Sequence, residues 1–162
     1  MRTLLVLRHA KSSWKDPGLD DHDRPLNGRG RKTAPRMGTL LRERDLVPEH
    51  ILSSTALRAR RTAELAAEAA GFTGTLELAP DLYLAGPERA VRLLHDVPDR
   101  FRRVMLVGHN PGLQELVELL TGCAERFPTA ALARIELPAG AWAEVPAGRC
   151  GVLEGLWRPR EL

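Results

Sequence analysis

Apolar residues fall into short runs with two greasy faces, separated by longer amphipathic stretches. Thr3-Leu4-Leu5-Val6-Leu7 shows no in-out alternation. Both faces must be covered, as in a central strand of a parallel sheet. Arg103-Val104-Met105-Leu106-Val107 repeats the pattern, and His50-Ile51-Leu52-Ser53 and Leu76-Glu77-Leu78 give shorter strands. Between them the period changes to helical. Residues 29–44 put Met37, Leu40 and Leu41 on one side, and Pro35 predicts that this helix starts there or bends. The alanine-rich stretch Leu57 to Ala70 predicts a strong helix ending at Gly71. Shorter helices are predicted from Pro87 to Leu94 and, after Gly112, to about Leu120. Ala131 to Leu137 and Gly151 to Trp157 read as late strands near a sheet edge. Strands alternating with helices imply an α/β fold, a three-layer α/β/α sandwich around a mostly parallel sheet. No repeat or linker divides the chain, so residues 1–162 are expected to form a single domain.

Composition narrows this picture. The chain is 43% hydrophobic and 28% charged, ordinary for a globular domain of 162 residues. No apolar run approaches the roughly 18 to 20 residues that span a bilayer. The first apolar run is cut off by Arg8 and His9, and no small-residue cleavage site follows it. The expectation is a cytoplasmic protein with no membrane partner. Cys123 and Cys150 are expected as buried free thiols. Of the basic residues only Lys11, Lys15 and Lys32 are lysines. A GC-rich coding bias accounts for the excess of arginine; the places of individual arginines carry the information. No basic run or stacking motif appears, so no nucleic-acid partner is expected.

In parallel α/β sheets, ligands sit at the carboxyl ends of strands. His9 and His109 each leave a predicted strand at that end. Neutral imidazole has one bare ring nitrogen able to attack phosphorus, and the neighbouring Arg8 cancels the charge that would repel it. Ser54 to Thr62 lies where a strand meets a helix whose free N–H groups favour an anion. Arg58, about one turn inside that helix, aims back at the strand ends; Arg60 and Arg61 face solvent. In Gly108-His109-Asn110-Pro111-Gly112, Asn110 reads as a helix N-cap and Pro111 as the first helical residue, which fixes His109 over the sheet.

Arg8-His9 after a strand, Ser54-x-x-x-Arg58-Ala59 entering a helix, and the late Gly108-His109 together resemble the histidine phosphatase superfamily, which includes phosphoglycerate mutases. Arg8 to Ser12, Asp21 to Asn27, Gly108 to Gly112 and the short length resemble its SixA-like branch, the phosphohistidine phosphatases. The resemblance implies the phosphoglycerate mutase-like fold, a His9 that is transiently phosphorylated, and a phosphate pocket of Arg8, Arg58 and His109. Lys11 and Ser12 border that pocket as substrate contacts, as does Ser13. Arg24 is a candidate substrate contact, although Pro25-Leu26-Asn27 reads better as a turn capping the next helix. The resemblance also puts Phe127-Pro128-Thr129-Ala130 near the pocket mouth. Trp14, Trp142 and Trp157 read as packing residues.

One departure bears on the substrate. Mutases and sugar-phosphate phosphatases of the superfamily carry an acid after the third strand that protonates a leaving alcohol. Here that region reads Pro80-Asp81-Leu82-Tyr83-Leu84-Ala85. Asp81 is early, and Glu88 falls in a helix. An alcohol needs such an acid, an effect of about 10² to 10⁴ in rate. Imidazole, whose conjugate acid has a pKa near 6.5, needs it far less. The expected activity is a monomeric phosphatase acting on protein phosphohistidine, with no metal or other cofactor. The alternatives are a phosphatase for small phosphate esters and a non-catalytic phosphate-binding module. A metal site of His9, His22 and His109 lacks the usual ligand spacing.

Overall fold

The computed structural model describes residues 1–162. Six strands, β1 (Arg2–Arg8), β2 (His50–Ser53), β3 (Thr75–Leu78), β4 (Arg103–Gly108), β5 (Leu132–Leu137) and β6 (Val152–Trp157), form one sheet in the order β3-β2-β4-β1-β5-β6. β3, β2, β4 and β1 are parallel; β5 runs antiparallel to β1 and β6 antiparallel to β5. The late pair thus divides its roles: β6 is the edge and β5 is interior. Four helices, α1 (Gly28–Glu43), α2 (Leu57–Ala70), α3 (Pro87–His95) and α4 (Gly112–Thr121), complete the α/β/α sandwich.

The two-faced runs explain the layering. Leu4, Val6, Val104 and Leu106 pack with Val91, Leu94, Leu116 and Val117 of α3 and α4. Leu5, Leu7, Met105 and Val107 pack on the other face with Met37, Leu41, Ala63 and Ala66 of α1 and α2. All eight strand residues are fully buried, each side chain contributing about 1.5–3 kcal/mol over exposure. β1 and β4 are thereby pinned at the centre, and the chain leaving them is held at one fixed place.

Three expectations need correction. Pro35 does not start α1, which begins at Gly28 and continues through it. The start is set by Asn27, whose side chain accepts from the Gly30 N–H (2.9 Å). The bond lost at Pro35 is offset by the buried face of Ala34, Met37, Leu40 and Leu41. Next, α4 begins at Gly112, with Pro111 rather than Asn110 in the cap position; Asn110 still serves that end by accepting from the Gln114 N–H (3.2 Å). Finally, Cys123 and Cys150 are free thiols but only half-buried. α2 does end at Gly71, which adopts the left-handed conformation (φ 73°) open to glycine. No helix is long and apolar enough to cross a membrane.

α1 and α2 approach closely at Gly38, where a Cβ would stand 2.1 Å from the Ala66 carbonyl oxygen. That oxygen belongs to the α2 backbone and cannot swing aside. Gly38→Val is expected to force the helices apart and destabilise the protein by about 1–3 kcal/mol, read as a lower urea midpoint. An unchanged midpoint would show that the two helices do not meet there.

Candidate active site

The β1–β4 register pairs Arg8 with Gly108, so the next residue on each strand is a histidine at the carboxyl edge. The His9 N–H donates to the Gly108 carbonyl (3.0 Å), and the Ser54 N–H to the Val107 carbonyl (2.9 Å). Three chain segments therefore leave the sheet side by side. The rings of His9 and His109 lie 5.2 Å apart, tilted by 53°. Arg58 joins them from the first turn of α2, nearer its start than the sequence suggested, and is buried.

A cavity of about 240 Å³ opens between these groups. Arg8, His9, Arg58, His109, Lys11 and Ser12 all line it. Arg24 does not. Its buried guanidinium donates to the Asp16 carbonyl and stacks on Trp14, 4.3 Å from the ring, so it braces the wall from behind. The packing expectation for Trp14 is overturned: the indole is 59% exposed and forms part of the cavity wall. Trp142 is buried in the core layer of α3 and α4, and Trp157 is partly buried against the layer of α1 and α2. The 127–130 loop does reach the mouth, where Thr129 lines the cavity and the Phe127 carbonyl accepts from Arg8 (3.3 Å) and Asn110 (2.7 Å).

Hydrogen bonds set the state of both imidazoles. Nδ1 of His9 lies 2.8 Å from the Ala10 carbonyl, which can only accept, so Nδ1 carries the proton. Burial pushes the His9 pKa down to about 4; the Ala10 bond opposes this, and Arg58 and Arg8 add to it. The ring is therefore neutral near pH 7, with its Nε2 lone pair bare. Nε2 of His109 lies 2.8 Å from the Ser54 hydroxyl, whose oxygen accepts from the Ala56 N–H (3.2 Å). With the Ser54 hydroxyl donating to Nε2, Nδ1 of His109 is the protonated nitrogen; in either tautomer it is buried and has no protein partner. Burial, then His9 and Arg58, lower the His109 pKa to about 3.

The arginines are held differently. Arg58 is clamped by Asp21, donating to its main-chain carbonyl (2.6 Å) and its carboxylate (2.9 Å). The Tyr83 hydroxyl donates to the same carboxylate oxygen (2.6 Å). That bond, followed by those from Arg58, holds the Asp21 carboxyl below its usual range, and the carboxylate in turn raises the Tyr83 phenol. Arg8 is lowered by burial and by Arg58, and its Nε is buried without a partner. Two guanidiniums and an imidazole nitrogen without a protein partner border one small space, an arrangement with the charge to hold a tetrahedral dianion.

Other acids and imidazoles stand outside it. His22 turns to the Thr55 hydroxyl (2.8 Å) and packs edge-on to Tyr83, so His9, His22 and His109 do not converge. No three His, Cys, Asp or Glu residues are placed to hold a metal ion. Asp81 and Glu88 are exposed, and Leu84, with φ 53°, lines the cavity beyond β3. No carboxylate lines the cavity.

Known proteins place the chain in a family. The family model of the histidine phosphatase superfamily (branch 1) matches residues 4–83. The chain is 30% identical to the Agrobacterium tumefaciens protein assigned as the phosphohistidine phosphatase SixA, over 98% of both chains, with a TM-score of 0.83. A similarly assigned SixA from Nakamurella multipartitia is 26% identical over 98% of this chain and 96% of its own, with a TM-score of 0.85. An uncharacterised protein of Mycobacterium tuberculosis is 34% identical over 95% of this chain and all of its own. The chain belongs to the histidine phosphatase superfamily, in its SixA-like branch.

Proposed function

We propose that this phosphatase removes the phosphoryl group from phosphohistidine on a protein, with His9 as nucleophile. Nε2 of His9 attacks phosphorus, and the bond from phosphorus to the substrate's imidazole nitrogen breaks. The electron pair leaves on that nitrogen, which takes a proton from solvent. Water then attacks the phosphorylated His9, inorganic phosphate departs, and the neutral imidazole returns. Arg8, Arg58 and the His109 Nδ1–H carry the charge of the phosphoryl oxygens in both steps. No step calls for a metal.

The observation that carries this reading is a bare imidazole nitrogen between the buried Arg58 and the half-buried Arg8, in a cavity without a carboxylic acid. Asp21, the carboxyl nearest the site, is tied to Arg58 and Tyr83 and stays ionised, so it has no proton to give. Exchange of one imidazole for another needs little acid help. Lys11 and Ser12 contact the substrate at the rim. A small phosphorylated metabolite is the second reading, favoured by the modest cavity of about 240 Å³. A monomer suits a site that must admit a protein surface.

Rapid quenching during turnover is expected to trap alkali-stable, acid-labile phosphate on the wild type. Labelling that persists in His9→Ala would overturn the assignment. Arg8→Ala and Arg58→Ala should each lose about 10² to 10³ in kcat; a purely phosphate-binding module would show affinity with no turnover at all. Phosphohistidine should exceed alkyl phosphate esters by at least about 10² in kcat/KM, and the reverse preference would select the metabolite reading.

The pH dependence follows from the neutral state of His9. Only unprotonated His9 attacks, and its pKa is about 4. kcat/KM should stay flat on acidification through the usual imidazole range near 6.5 and fall only towards about pH 4. Stability follows the same groups. Below about 6.5 the unfolded chain binds protons that buried His9 and His109 do not, so the melting temperature should drop as pH falls from there towards 4.

A further inference from the structure

Beside the catalytic cavity lies a larger cleft of about 500 Å³. Four separate segments build it: the loop after β1, α1, the loop before β5 and the chain after β6. Six cationic side chains line it, Lys11, Arg29, Arg36, Arg126, Arg158 and Arg160, against one carboxylate, Glu161. Lys11 and Thr129 also line the catalytic cavity, so the two spaces share a wall.

The charges in this cleft are only partly neutralised. Arg158 pairs with Glu125 (3.1 Å) and Glu161 (3.3 Å), and Arg126 with Glu161 (3.6 Å). Arg36 reaches only the main-chain oxygen of Leu162 (3.3 Å). Lys11, Arg29 and Arg160 are exposed and have no carboxylate within ion-pair distance. We propose that the cleft docks an acidic segment of the substrate protein while that protein's phosphohistidine enters the His9 cavity. This inference rests on the proposed function and names the surface chemistry of its substrate.

Two observations favour a polypeptide over a small anion. A single phosphate is held by buried, converging donors, as Arg58 is beside His9; none of the six cations in the cleft is buried. Each exposed ion pair contributes little by itself, so useful affinity needs several at once from a multivalent partner. The spacing fits such a partner. Arg29, Thr33 and Arg36 share one face of α1 over about 10 Å, the reach of roughly three residues of extended chain. Paired charges at this distance also speed encounter and set orientation.

The test uses the full chain with three probes and two donors. Fluorescein-labelled poly-glutamate is titrated by anisotropy, with tripolyphosphate and a short single-stranded RNA as comparison probes. The donors are phosphoramidate and an acidic histidine-phosphorylated protein. Poly-glutamate is expected to bind the wild type and to weaken at least about tenfold between roughly 50 and 300 mM salt. Arg29→Glu/Arg160→Glu should weaken it a further tenfold or so, raise KM for the phosphoprotein, and leave kcat and phosphoramidate turnover within about twofold. Arg29→Gln/Arg160→Gln should fall between, which separates charge from misfolding.

Docking is overturned if both donors are turned over and charge reversal changes neither binding nor KM. It is equally overturned if tripolyphosphate or RNA binds in preference to poly-glutamate, or if both double variants lose phosphoramidate turnover. A wild type that binds poly-glutamate but hydrolyses neither donor would instead strike at the reading of the His9 cavity, and substrate docking would fall with it.

Discussion

The hydrogen bond from the His9 amide to the Gly108 carbonyl closes the β1–β4 ladder at the edge where both chains leave the sheet. Its register decides that two histidines emerge together. A slip of one residue between them would turn either Leu4 and Val6 or Val104 and Leu106 out of their core layer and into the other. The buried faces on both sides therefore enforce the register, and the register enforces the 5.2 Å separation of the rings. Neighbouring ladder bonds extend the same control. Ser54 is fixed by the Val107 carbonyl, and the Ala130 N–H donates to the His9 carbonyl (3.0 Å), which ties the mouth loop to the same edge.

Burial at that edge then sets the chemistry. An imidazole among guanidiniums and away from water is driven neutral, which is the state that keeps a lone pair. The two arginines would repel one another without a counter-charge, and Asp21 supplies one on the far side of Arg58. It holds the guanidinium by both its carbonyl and its carboxylate, while Tyr83 occupies the same carboxylate oxygen. The negative charge is thus spent on positioning a cation, and the side facing the cavity stays positive. Tyr83 also lies edge-on to His109 at 5.5 Å, so one phenol braces both a clamp residue and an imidazole.

Much of this was legible in the sequence because the signals were local. Two-faced apolar runs mark central strands, and a histidine directly after each marks the carboxyl edge of the sheet. Asn27 was readable as part of a cap because its motif lies within one turn. The failures share a different cause. Pro35 weakens a helix locally, but packing against α2 decides the outcome. Asp21, Tyr83 and Ser54 act through partners far along the chain; Asp21 and Arg58 are separated by 37 positions, and no spacing rule links them. Trp14 resembles any core tryptophan in sequence. Only the fold reveals that Arg24 stacks on its face and that it lines the cavity.

The wall beyond β3 joins the fold to the substrate argument. Asp81 lies in a short 3-10 turn, Pro80–Leu82, and is exposed; the chain then turns through a left-handed Leu84 that faces the cavity. Leucine at this wall brings no carboxylate to the cavity and leaves the field of both arginines undiluted. The acid it forgoes is worth about 10² to 10⁴ in rate for an alcohol. A substrate that leaves as imidazole loses far less by its absence, because the ring nitrogen accepts its proton near neutral pH.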